Sequence, residues 1–93
     1  MKEYTWNVEK NNWLIEERGL SFERIVYLIE HGGLLDIVAH HNPSRYPDQK
    51  ILVVNVDEYA CLVPFVESNE GYFLKTIIPS RKATKTYLEA LNE

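Results

Sequence analysis

The sequence predicts an α+β domain: two N-terminal helices, an antiparallel meander sheet of about four to five strands, and a C-terminal helix. Three observations predict it. Phe22, Ile25, Val26 and Ile29 recur at helical spacing and mark one buried face. Between Leu34 and Ile78, apolar runs of strand length are separated by short polar turns. Thr84, Tyr87, Leu88 and Leu91 then form a second helical stripe.

Tyr4-Thr5-Trp6 reads as a short strand or an extended lead-in. Asn7 is a suitable N-cap for a first helix over about Val8 to Glu17, and Gly19 supplies its stop. Ser21 caps the second helix, which His31-Gly32-Gly33 ends. Leu34 to His40 is a strand candidate. Asn42-Pro43 and Tyr46-Pro47-Asp48 mark a turn-rich loop. Lys50 to Val56 is apolar at both alternating sets, as a central strand covered on both faces would be. Asp57-Glu58 reads as a tight hairpin turn, followed by a strand from Tyr59 to Glu67. Pro64 cannot donate to a ladder, so it belongs at a bulge or on an unpaired edge. A second hairpin turn over Ser68 to Gly71 leads into a last strand, Tyr72 to Ile78. Ser80 caps the final helix. The N-terminal helices are expected on one face of the sheet, leaving the other as a binding surface.

Ninety-three residues with 45% hydrophobic content suit one globular domain, 1–93, whose core is modest at this length. The single cysteine, Cys61, excludes an internal disulfide and reads as a small buried hydrophobe. No apolar opening segment resembles a signal peptide, and no run approaches the roughly 20 apolar residues of a membrane helix, so a cytoplasmic protein is expected. The net charge of −4 argues against sequence-independent binding to nucleic acid. It is unevenly spread. Gly71 to Leu88 holds Lys75, Arg81, Lys82 and Lys85 and no acid, so the remainder carries −8.

Two places carry chemistry. Arg81, Lys82 and Lys85 lie in the first turns of the last helix, where a cation is unfavourable by roughly 0.3–1 kcal/mol. Together with free helix N–H groups they would hold a phosphate; a solvated charged face is the alternative. The loop from His40 to Lys50 gathers His40, His41, Arg45, Tyr46 and Lys50. Its histidines would move protons near neutrality and its cations would steady phosphate charge, unless it is an ordinary polar loop. Trp6 and Trp13 read as core or partner-facing anchors, with base stacking as the alternative. No metal-ligand spacing, phosphate-binding glycine loop or hydrolase motif is present, so no metal or cofactor is expected.

Two motifs extend this reading. Trp6-Asn7-Val8-Glu9-Lys10 followed by Arg18-Gly19-Leu20-Ser21-Phe22 resembles the W-D-x-x-K and H-G-I/V-S-F signature of the BrnT toxins, at matching spacing. Ile77-Ile78-Pro79-Ser80-Arg81-Lys82-Ala83-Thr84-Lys85 resembles the closing I-I-S-A-R-K/R-A-S/T-K/R of that family. The resemblance implies a RelE-like fold, RNA cleavage and a type II toxin–antitoxin module. It also implies a cognate antitoxin with a DNA-binding region and repression of their own operon by the complex. A homodimer or a toxin–antitoxin heterotetramer is the assembly to look for. The chain departs from the family at Arg18, where a histidine is usual, and at Thr76, where an arginine is usual. It departs again at Pro64, where a histidine is frequent, and at Asp48-Gln49-Lys50, which stands for E-x-R.

The expected function is a metal-free ribonuclease toxin. Arg81, Lys82 and Lys75 would hold phosphate, His41 or His40 would act as acid or base, and Lys50, Arg45 and Lys85 would support. The competing readings are a catalytically degenerate interaction module on the same fold, which binds its partner and helps regulate transcription, and a small regulatory domain unrelated to RNA.

Overall fold

The computed structural model describes residues 3–40, 42, 44–45 and 47–89. His41, Pro43, Tyr46 and Leu91, which entered the reading above, lie outside the described residues. The elements in order are β1 (Glu3–Trp6), α1 (Val8–Arg18), α2 (Phe22–Glu30), β2 (Leu34–Ala39), β3 (Gln49–Val56) and β4 (Tyr59–Ser68). β5 (Gly71–Leu74), β6 (Ile78–Pro79) and α3 (Arg81–Thr84) follow, and α3 widens into a π-helical turn over Lys85–Glu89. No helix among the described residues is long and apolar enough to cross a membrane.

Local chemistry sets most of these boundaries. The Asn7 side chain accepts the Lys10 N–H at 2.9 Å, Ser21 Oγ that of Arg24 at 3.2 Å, and Ser80 Oγ that of Ala83 at 3.1 Å. Gly19, at φ 65°, closes α1 in the left-handed conformation. The β3–β4 turn places two non-glycine residues in that conformation, Asp57 at φ 53° and Glu58 at φ 67°. Such a turn matches the twist of the flanking strands. Its strain is held by Asn55, whose Oδ1 accepts the Glu58 N–H at 2.9 Å, and by an Arg24–Asp57 ion pair at 2.8 Å. Glu58→Gly should therefore raise stability by about 0.5–1 kcal/mol, the relief of left-handed strain less the freedom glycine adds to the unfolded chain. Urea unfolding would detect this as a higher midpoint; an unchanged midpoint would mean that the turn stores no strain.

The sheet runs β1-β5-β4-β3-β2. β2, β3, β4 and β5 are antiparallel neighbours in sequence order, as the two-residue turns joining β3 to β4 and β4 to β5 require of those pairs. β1 breaks the expected meander. It pairs with β5 in parallel, Glu3 opposite Gly71 through Trp6 opposite Leu74, so the sheet is mixed. The reason is its connection: β1 reaches the sheet through two helices, and no hairpin constrains its direction. Gly71 permits the pairing, since a Cβ there would strike the backbone of Glu3.

The predicted last strand is also split. Leu74 lies opposite Phe65, whereas Ile78 lies opposite Leu62, so one extra residue is accommodated around Lys75–Ile77. Pro64 sits at this break. Its carbonyl accepts the Lys75 N–H at 2.8 Å, and the N–H that proline lacks would have pointed to the same side.

Both faces are covered, which explains the two-sided apolarity of β3. On the first face, Leu14 of α1 and Phe22 and Ile25 of α2 pack on Leu52, Val54, Cys61, Val63 and Phe65. On the second, α3 and its π-helical turn press Ala83 and Leu88 onto Val53 and Ala60. The expectation of an entirely open second face is corrected accordingly. The C-terminal helix occupies its β2–β4 part, and Tyr87 donates to Asp36 Oδ2 at 2.7 Å. That hydrogen bond to a carboxylate raises the Tyr87 phenol pKa above its ordinary value.

Candidate functional site

The segment that follows β5 builds the basic surface. Ser80 N–H donates to the Ala60 carbonyl at 2.9 Å, and the Ala60 N–H donates to Thr84 Oγ1 at 2.9 Å. Thr84 Oγ1 donates in turn to the Ser80 carbonyl at 2.7 Å. The Ser80–Thr84 pair thus fastens one turn of helix to the backbone of β4. With Ala83 turned inward, Arg81, Lys82 and Lys85 are left exposed. Ser80 takes up the Ala83 N–H, while the N–H groups of Arg81 and Lys82 have no intrahelical carbonyl within reach. The α-helical part is only four residues long before it widens, so its dipole is small. Charge on the three side chains, more than the helix terminus, would attract an anion here.

Lys75 lies on the same side of the sheet. Leu74 packs into the first face, so Lys75 alternates to the second, where its Nζ stands 5.4 Å from the ring of exposed Phe73. All four cations of the acid-free segment therefore belong to the second face, with only Lys75 beside the exposed ring. They do not converge on one point. Lys75 lies opposite Pro64 and α3 starts beside Ala60, roughly 13 Å away along β4 at about 3.3 Å per residue.

His40 continues the register of β2, its N–H bonded to the Gln49 carbonyl at 3.3 Å, which directs it to the second face as well. Its Nδ1 accepts the Asn42 N–H at 3.0 Å, so neutral His40 carries its proton on Nε2. Three strand spacings separate the row of His40, Gln49, Val66 and Phe73 at its two ends, or about 14 Å. Arg45 sits in the exposed turn, its N–H bonded to the Asn42 carbonyl at 3.3 Å. Lys50 is turned to the first face and stands 3.7 Å from Glu67. The structure thus joins Arg81, Lys82 and Lys85, sets Lys75 and His40 at separate places on the same face, and places Lys50 on the opposite one.

Three other residues, Arg18, Asn11 and Asp36, shape the surroundings without having been assigned a site role from sequence. Arg18 donates from Nη1 to the Ile77 carbonyl, at the irregular segment behind Lys75. Its Cζ lies 5.1 Å from the Trp13 ring, which also has Lys10 Nζ at 4.5 Å. Trp13 is therefore a surface residue flanked by cations, whereas Trp6 stacks on Phe22 at 5.6 Å beside the core. Buried Asn11 binds the start of α2, and Asp36 holds the C-terminal helix through Tyr87. The departure at Arg18 from the family's histidine was the one available signal among these. Burial pushes the Cys61 thiol up to about 11, so it is protonated at neutral pH and suits packing better than nucleophilic attack. Among the described residues, no group of three or more His, Cys, Asp or Glu could hold a metal ion.

Comparison with protein-family models, with curated proteins and with solved structures finds no match to this chain.

Proposed function

We propose that this chain is a BrnT-like ribonuclease toxin on a RelE-like fold, kept silent by a cognate antitoxin. One observation carries the reading beyond the motif resemblance. The only long acid-free segment places all its cations on one sheet face, Lys75 beside exposed Phe73 and the other three on the C-terminal helix, in a chain whose remainder is strongly acidic. A cationic track with an aromatic ring suits a single strand, through phosphate contacts and base stacking.

In this reading the RNA 2′-OH attacks the adjacent phosphorus and the 5′-oxygen leaves. Arg81 grips two phosphate oxygens with its planar fork, and Lys82 and Lys85 add charge. His41 or His40 moves the proton, with Lys75 and Arg45 holding flanking phosphates. The antitoxin covers the basic helix and the remaining open part of the second face, and the complex represses its operon. The spread of Lys75, His40 and Arg81 over more than one phosphate's reach favours a second reading, a degenerate module that only binds its partner. Inducing the chain with and without its partner gene distinguishes them. The toxin reading expects growth arrest and RNA breakdown, relieved by the partner; full growth with intact RNA expects the binding module.

A further inference from the structure

The sheet has two lateral edges, and they differ. β2 is bulged between Leu34 and Asp36. The Asp36 carboxylate accepts the Ile37 N–H at 2.7 Å, and its other oxygen accepts the Tyr87 hydroxyl. A bulge and an inward carboxylate are two of the devices by which edge strands avoid pairing with other chains. β1 has neither, and its protection is limited to its four-residue length and the one charge of Glu3. Among the described residues it pairs only with β5, in unbroken register, which leaves its outer row of backbone groups available.

A cleft of about 80 Å³ lies just inside this edge, between β1 and the β4–β5 hairpin, lined by Glu3, Thr5, Ser68, Glu70, Gly71 and Phe73. Tyr4 and Trp6 pack toward the first face, so Glu3 and Thr5 point to the second, where the cleft opens. Phe73 divides two electrostatic regions: it lines the cleft and also carries Lys75 5.4 Å from its ring. A cation entering the cleft is therefore drawn by the two carboxylates rather than by the ring.

We propose that the β1 edge and this cleft together accept an extended basic segment of a partner protein, added as a further strand with one arginine or lysine seated between Glu3 and Glu70. Main-chain hydrogen bonds to the edge supply affinity, and the cleft reads alternate side chains. The intervening side chains of such a segment fall on the first face beside Tyr4 and Trp6, so apolar residues suit them. The favoured sequence alternates apolar and basic residues. The inference stands apart from the nuclease reading, because it concerns the acidic edge and is measured by peptide binding.

The test uses the full chain and two capped peptides, one alternating valine and arginine, the other valine and glutamate. The arginine peptide should shift amide resonances of Glu3–Trp6 and Ser68–Phe73, and its binding should weaken as salt rises. Glu70→Lys, in an exposed turn, should weaken it at least tenfold, and Glu3→Lys likewise, with both variants folded by circular dichroism. Equal binding of the glutamate peptide, shifts confined to β2 or α3, or no binding at millimolar peptide would overturn the proposal. Concentration-dependent shifts of β1 without peptide would assign the edge to a second copy of this chain and overturn it too.

Discussion

Arg81→Ala should lower RNA cleavage by about 100- to 1000-fold, the usual loss when one positioned donor to transition-state charge is removed. The fold should survive. Arg81 is exposed, and among the described residues its guanidinium has no hydrogen-bonding or ionic partner, so its removal belongs with surface substitutions of about 0.5 kcal/mol or less. The contacts that fasten the helix belong to Ser80 and Thr84 and are untouched. Arg81→Lys keeps the charge but loses the fork, and should recover only part of the rate. Single-turnover cleavage at matched protein concentration measures both. Undiminished cleavage by the alanine variant would make Arg81 a solvated helix residue and would remove the phosphate clamp from the account.

The second large effect falls on stability. Asn11, 5% exposed, is the one buried polar residue among those described. Its Oδ1 accepts the Phe22 N–H at 2.8 Å and its Nδ2 donates to Glu23 Oε1 at 2.7 Å. It therefore caps α2 from α1, alongside Ser21. Asn11→Leu fills similar space but strands the buried Phe22 N–H and leaves Glu23 without its donor. Leaving a buried group unsatisfied costs about 1–3 kcal/mol, and with the lost cap about 2–4 kcal/mol is expected. At this size each kcal/mol moves the midpoint by about 4–8 °C, so thermal unfolding should fall by roughly 10–25 °C. Asn11→Asp keeps the acceptor, loses the donor and faces Glu23, and should lie between. A leucine variant within 1 kcal/mol of wild type would show that α2 does not depend on this contact.

What sequence conveyed follows from the range of the interactions involved. Caps at Asn7, Ser21 and Ser80, the stop at Gly19, both hairpin turns and the irregularity at Pro64 are decided within a few residues, and each was legible. The parallel pairing of β1 was not, because it depends on where two helices return the chain and on the missing side chain of Gly71. The cover over the second face was half legible. The apolarity of β3 on both sides required it, but nothing local assigned it to the C-terminal helix. The basic helix was legible as a cluster from its spacing. The separation of Lys50 and His40 from that helix was not, because it follows from strand register across the sheet. Asn11 escaped because an asparagine in a helix reads as surface until a neighbouring helix start is seen against it.

The most direct measurement for the central claim is cleavage of RNA by the purified chain, with the new ends identified chemically. Incubation with a structured RNA in the presence of a metal chelator should yield discrete fragments with 2′,3′-cyclic phosphate ends, as attack by the neighbouring 2′-OH requires. Substituting deoxyribose at the cut positions should stop the reaction. RNA that stays intact under these conditions, both with ribosomes and without them, would contradict the ribonuclease account and leave the chain as a partner-binding module.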